Sequence, residues 1–205
     1  PDAPHEFAMM TFVNSHSPGL VILPTHRVLA GFPAFNASQL EMRLAPWFTS
    51  EKLESPKTGE SLEEFLRTVK ARPSAHTIAM ASAEGFRLFT LRADADLTTV
   101  LPGYSPAQRE LDVLLLHRLI LERGLGITPE AVVRESYLTY ERDLCTAISA
   151  VQSGKAQAAF LLHPVSVTQV AEIAISGGVM PQKSTDFYPK LLSGLVMYRM
   201  TEKEN

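Results

Sequence analysis

Residues 75–91 read AHTIAMASAEGFRLFTL. Two β-rich runs, Ala75–Ala81 and Phe86–Leu91, flank Ser82-Ala-Glu-Gly85. A short linker ending in glycine between two such runs predicts a hairpin. Ala158–Leu162 is a further short apolar run, reached through helical segments. Hairpins and helical crossovers in one chain predict an α/β (α+β) fold: a mixed β-sheet with helices packed on its faces.

Toward the C-terminus, Ser105-Pro106 sets an N-cap followed by proline at the first helical position. The helix is predicted to run to Arg123, with Gly124 as its C′ residue and Leu111, Leu114, Leu115 and Leu119 facing the core. Val132–Tyr140 reads as a strand, and a helix follows over Glu141–Ser153, stopped by Gly154. Ser166 and Gln169 form a capping-box pair, opening a helix that ends at Gly177-Gly178. Leu191–Met200 reads as a last strand, interrupted by Gly194, before a polar tail over Thr201–Asn205.

Toward the N-terminus, Ser61 and Glu64 make a second capping box, for a helix through Ala71. Residues 49–60 read as a flexible surface loop. Asn36 and Gln39 cap a helix over Ala37–Ala45. Phe7–Val13 reads as a buried strand and Leu20–Leu23 as a second, close to the first across the turn Asn14–Gly19; Thr25–Ala30 continues extended.

The chain has 205 residues, 45% apolar and 20% charged, as expected of a single globular α/β domain over residues 1–205. It opens on Pro1 rather than Met and reads as the C-terminal fragment of a longer protein. A net charge of −3, with no basic-aromatic patch, disfavours nucleic acid as a partner. No apolar run approaches the roughly 18 residues of a membrane span. A single cysteine, Cys145, cannot close an internal disulfide, so a reducing, cytoplasmic setting is expected, with the thiol buried and inert.

Two stretches carry candidate chemistry. MPQKSTDFYPK, residues 180–190, gathers Lys183, Ser184, Thr185, Tyr188 and Lys190 between two prolines. Ammonium groups and hydroxyls on a proline-stiffened loop can bind phosphate or carboxylate oxygens. The glycine-rich run of a Walker loop is missing, and the plain alternative is a solvated surface loop. Pro24-Thr-His26-Arg27 places an imidazole beside a permanent cation, either to orient or protonate an anion or to make structural hydrogen bonds at a strand end. His26 and Arg27 are the catalytic candidates.

The other histidines carry less: His5, His16, His76 and His163 sit at edges and turns, and His117 sits among leucines of the long helix. No pair has zinc-motif spacing, so no metal ligands are expected. Asp94 and Asp96 read as solvated, and Arg118 with Glu122 as a surface pair. The signatures of dinucleotide enzymes, serine hydrolases and zinc proteases are absent.

Phe7-Ala-Met-Met-Thr-Phe-Val-Asn14, Pro18–Arg27, Phe160–Val165 and above all Met180–Val196 resemble the prokaryotic domain-of-unknown-function family 1015, as the C-terminal half of its proteins. The family's upstream half is similar to the ParB/sulfiredoxin superfamily, some members of which bind nucleotides or phosphorylate free serine; its genes neighbour serine-biosynthesis genes in some bacteria. The resemblance implies a small-molecule phosphotransfer enzyme acting on an amino acid or metabolite, with ATP or ADP and Mg²⁺ as cofactors. Its partners would be a small anionic ligand, the upstream half of the same polypeptide and a second copy in a homo-oligomer. The alternative is a non-catalytic regulatory module that binds an anionic metabolite.

Overall fold

The computed structural model describes residues 6–33, 35–53, 76–192 and 194–199. The chain divides into two compact units, residues 22–186 and residues 1–21 with 187–205.

In the larger unit the strands are β2 (His26–Leu29), β3 (Phe48–Leu53), β4 (Thr77–Ser82), β5 (Gly85–Leu91), β6 (Leu138–Glu141) and β7 (Ala158–Leu161). They form one sheet in the order β3-β5-β4-β7-β2-β6. The β4–β5 hairpin closes with Ser82 opposite Gly85, as predicted. All five ladders are antiparallel, so the expected mixture of parallel and antiparallel pairs reduces to one kind. A further two-stranded sheet pairs β1 (Val21–Leu23) with β8 (Asp186–Tyr188).

Side chains alternate across a strand. Ile78, Met80, Phe160 and Leu29 enter one buried cluster; Ala79, Ala81, Ala159, Leu161 and Val28 enter another. The first face carries α1 (Ala37–Leu44) and the leucine-rich segment 111–121. The second carries α7 (Leu144–Gln152), through Ala147, Ile148 and Val151. The α/β class follows: one sheet, buried on both faces by helices.

Caps at α1, α7 and α8 (Val167–Ile175) fall on Asn36, Asp143 and Ser166, and Ser166 with Gln169 closes both bonds of the capping box. The helix predicted from Ser105 to Arg123 is interrupted. Ser105 caps a short turn of helix, Pro106–Arg109, which is followed by Asp112–Leu115 and a π-wound stretch, Leu116–Gly124. Leu111, at the break, takes an extended backbone and is completely buried. Glu110 and Asp112 on either side both reach His76, at 3.0 and 2.8 Å. Those hydrogen bonds, that to Asp112 foremost, hold the His76 imidazole above its ordinary pKa.

Gly124 is the last residue of the π stretch, not its C′ residue. A Cβ there would stand 2.6 Å from Leu40 Cδ1 and 3.1 Å from Leu44 Cδ2, so α1 packs where a side chain would be.

Other expectations change. Thr128 caps Pro129–Val133 as a helix, so the strand predicted from Val132 begins only at Leu138; the threonine–proline start signal outweighs the β-branched pair. The first residues of the loop predicted over 49–60 instead belong to edge strand β3, whose exposed Glu51 and Lys52 disguise it in the sequence. Cys145 is exposed. Residues 54–75, including the helix predicted from Ser61, lie outside the described residues, as does the tail from 201.

In the smaller unit, Asn14–Leu20 turns as expected, with Ser17 N donating to Asn14 O and Leu20 N to Ser17 O, each at 3.0 Å. Phe7–Val13 and Leu191–Arg199 are not strands where described, and Met10, Phe12, Leu192 and Met197 are exposed. Apolar composition measures a drive toward burial but names no ladder partner. The hairpin-like neighbour expected for Leu20–Leu23 is replaced by β8.

Overpacking at Gly124 gives a stability test. Gly124→Ala is expected to lose about 1–3 kcal/mol to the clash with α1, against roughly 1 kcal/mol regained from helix propensity. Urea unfolding measures the balance, and a net gain would contradict the close approach.

Candidate functional site

The site is built around Arg27. Its residue is 1% exposed on β2. Burying a guanidinium is tolerated only when its donors are satisfied. Here Nη1 donates to Thr25 O, Nη2 to Gln182 O and Lys183 O at 3.1 Å each, and Nε to His117 Nε2 at 3.3 Å. The guanidinium also lies 5.3 Å from the ring centre of Tyr140, its cross-strand partner on β6. Desolvation lowers its pKa to about 10, which leaves it charged at neutral pH.

His117 must accept from Arg27 Nε–H, so Nε2 is unprotonated and the neutral ring carries its proton on Nδ1. Burial first, then the positive charges of Arg27 and Arg118, push its pKa down to about 3.

Adjacency in sequence is not adjacency of side chains. His26 and Arg27 point to opposite faces of β2. The His26 Nδ1 accepts from Leu162 N at 3.2 Å, on the buried β7 side. Their side chains therefore leave the strand in opposite directions. Arg27 fixes the loop that carries Lys183.

That loop is internally braced. Ser184 is buried and its hydroxyl donates to Pro181 O, so it holds the loop's shape instead of facing solvent. Lys183 has φ +56°, in the left-handed region, and so does its ion partner Glu135 at φ +53°. The Lys183 ammonium lies 3.8 Å from Glu135 Oε1 and 5.5 Å from the Tyr140 ring centre. Tyr140 thus has two cations against its ring.

An open cavity of about 660 Å³ is lined by Thr25, Tyr140, Glu141, Arg142, Lys183, Thr185 and Asp186. Arg142 pairs with Asp186 through both nitrogen–oxygen contacts, Nη2 to Oδ1 at 3.1 Å and Nε to Oδ2. The Tyr140 hydroxyl is buried and has no hydrogen-bond partner among the described residues. Desolvation raises its pKa, so it stays a donor.

Of the residues expected in the 180–190 loop, Lys183 and Thr185 line this cavity. Tyr188 and Lys190 belong to the smaller unit. Sequence reading missed Tyr140, Arg142 and Asp186. The signal was the polar run Tyr140-Glu-Arg-Asp143 closing a strand, absorbed into a helix predicted from Glu141. No group of three His, Cys, Asp or Glu converges as a metal site among the described residues.

The sequence profile described as "Protein of unknown function (DUF1015)" matches residues 1–114. The chain belongs to this family. The matched span holds the resembling stretches Phe7–Asn14 and Pro18–Arg27, while Met180–Val196 lies beyond it. No curated protein sequence matches. Among solved structures, a conserved hypothetical protein from Pyrococcus furiosus is 12% identical with a TM-score of 0.46, over 85% of this chain and 59% of that one. A free serine kinase in complex with AMP is 12% identical with a TM-score of 0.46, over 85% of this chain and 56% of the kinase; a mutant of that kinase, also with AMP, gives 0.47. The DUF1015 chain thus spans less than two thirds of the length of these proteins.

Two outcomes test the Arg27 node. Arg27→Lys keeps the charge but loses the planar fork, and is expected to cost about 2–4 kcal/mol in chemical unfolding. The His117 pKa, lowered on folding from 6.5 to about 3, makes stability present above pH 6.5 drain away as pH falls toward 3. His117→Gln removes that dependence, so wild type minus variant should change by up to about 1.4 kcal/mol per pH unit across that window. A pH-independent difference would show that the ring titrates alike in the folded and unfolded chain, against the lowered value.

Proposed function

We propose that the Lys183 cavity binds a small anionic metabolite and serves as the phosphate-holding part of a small-molecule phosphotransfer enzyme. The observation that carries this reading is one polar cavity that holds the Lys183 ammonium against the Tyr140 ring, with the Tyr140 hydroxyl buried and without a hydrogen-bond partner among the described residues. Both are donors, and a phosphoryl or carboxylate oxygen would satisfy both. Thr25 and Thr185 lie on the same wall.

The ion pairs already present do not block such a ligand. Lys183 and Glu135 are each about half exposed (50% and 46%), and exposed pairs contribute only about 0–1 kcal/mol. An incoming phosphate can take the ammonium from Glu135 at small cost. Glu141 and Asp186 on the cavity wall bring carboxylates near the anion, which phosphoryl transfer needs to hold Mg²⁺ or to accept a hydroxyl proton. ATP or ADP with Mg²⁺ is the corresponding donor, and the complete active site would include residues outside the cavity described here.

One observation favours the non-catalytic reading: both cavity cations are neutralised by carboxylates, Lys183 by Glu135 and Arg142 by Asp186. Such a balanced site also suits a regulatory module that binds an anionic metabolite.

Calorimetric titration with inorganic phosphate, phosphoserine, L-serine, ADP and ATP, with and without Mg²⁺, separates these. Phosphate or phosphoserine is expected to bind, and Lys183→Gln to weaken it at least tenfold. Tyr140→Phe should weaken it by a similar factor while leaving the unfolding free energy unchanged within about 1 kcal/mol, because the hydroxyl has no partner to lose among the described residues. Nucleotide turnover supports the enzyme, and binding without turnover supports the module. No binding by any of the five overturns both.

A further inference from the structure

A second cavity, of about 320 Å³, is lined in part by the start of the same loop, Met180–Gln182, and lies at the lower end of the size range of small-molecule sites. Its walls are mainly aliphatic, including Leu114, Ile127, Val132 and Met180. Its polar groups are few, and all come from Tyr104, Gln108, His117, Arg118 and Gln182.

Two of these polar groups are already spoken for. Gln108 Nε2 donates to Val179 O at 3.0 Å and its Oε1 accepts from Ser105 N at 2.9 Å. The Tyr104 hydroxyl accepts from Arg118 Nε at 2.8 Å. His117 keeps one ring proton, because Nε2 is occupied as an acceptor from Arg27. Arg118 bonds Tyr104 through Nε and Glu122 through Nη1, the latter at 2.7 Å, which holds its guanidinium in place.

No aspartate or glutamate is among the residues lining the cavity. Arg118 lines it, and buried Arg27 stands directly behind His117. Glu122 offsets one of the two arginine charges, so the polar end keeps a net positive charge from Arg27 and Arg118 together, and the rest is apolar. His117 and Arg118 also open the π-wound stretch Leu116–Gly124, a rare geometry that recurs at functional sites.

We propose that this cavity is a second binding site, for a small monocarboxylate with an apolar body: one aromatic ring or a branched aliphatic chain. The body fills the space between Leu114, Ile127, Val132 and Met180, and the carboxylate faces Arg118 and His117. A cation is disfavoured by the two arginines, and a neutral hydrocarbon leaves the polar end unused. The site uses neither Lys183 nor Tyr140, so it stands or falls separately from the phosphate cavity.

The test is calorimetric titration of the full chain with phenylacetate, indole-3-acetate and 4-methylpentanoate, with phenethylamine and benzyl alcohol as cationic and neutral counterparts. At least one carboxylate is expected to bind saturably, and the two counterparts at least tenfold more weakly. Val133, which lines the cavity at its exposed rim, can be enlarged without disturbing the core. Val133→Trp and Arg118→Gln should each weaken carboxylate binding at least tenfold, with unchanged circular dichroism, while Lys183→Gln leaves it intact. Absence of saturable binding by all three carboxylates overturns the proposal. So does equal binding of phenethylamine, or binding indifferent to both Val133→Trp and Arg118→Gln. Inorganic phosphate titrated in parallel reports on the Lys183 cavity alone.

Discussion

A charged guanidinium with 1% exposure is the constraint around which the larger unit is arranged. Arg27 cannot shed its charge at neutral pH, and burial without partners would cost several kcal/mol. The partners come from four separate parts of the chain: Thr25 before β2, His117 in the π-wound stretch, Tyr140 on β6, and the carbonyls of Gln182 and Lys183. No carboxylate takes part in these bonds. The charge is held by carbonyl dipoles, an imidazole and a ring face, all of which need exact placement because none attracts over distance as an anion would. A loop of polar composition becomes a fixed wall, and its residues line two cavities.

The strain at Lys183 belongs to the same arrangement. A lysine in the left-handed region is uncommon, and its ion partner Glu135 shares the conformation. Such positions persist where surrounding contacts over-determine them. Arg27 holds the Lys183 carbonyl, and the Tyr140 ring meets its ammonium, so backbone and side chain are fixed from different directions.

The fold was legible where local chemistry and burial agreed. The β4–β5 hairpin, the Asn36 and Ser166 caps and the buried leucines at 111, 114, 115 and 119 were all readable from spacing alone. Reading failed where a tertiary partner decided the outcome. Leu111 broke a periodic helix because it was buried in extended form between two residues drawn to His76. Phe7–Val13 had the composition of a strand without a ladder to join. The site was half legible: Arg27 and Lys183 stood out by residue type, but that Arg27 faces inward and His26 the other way is a consequence of strand pleat. Tyr140 was invisible as a site residue because its importance lies in a hydroxyl left without a partner among the described residues, which no sequence pattern encodes.

Sheet order carries a consequence for how the chain is made. β2 emerges early, yet its neighbours are β6 and β7, drawn from residues 138–141 and 158–161. The carbonyls that receive Arg27 Nη2 lie 155 and 156 positions downstream. At a synthesis rate of about 5–20 residues per second, the nascent strand waits on the order of ten to thirty seconds for them. Over that interval the ribosome displays β2 with open edges and a hydrated guanidinium. The charge that is costly to bury at the end keeps this waiting strand soluble at the start, since a cation on an unpaired edge discourages pairing with a neighbouring nascent chain.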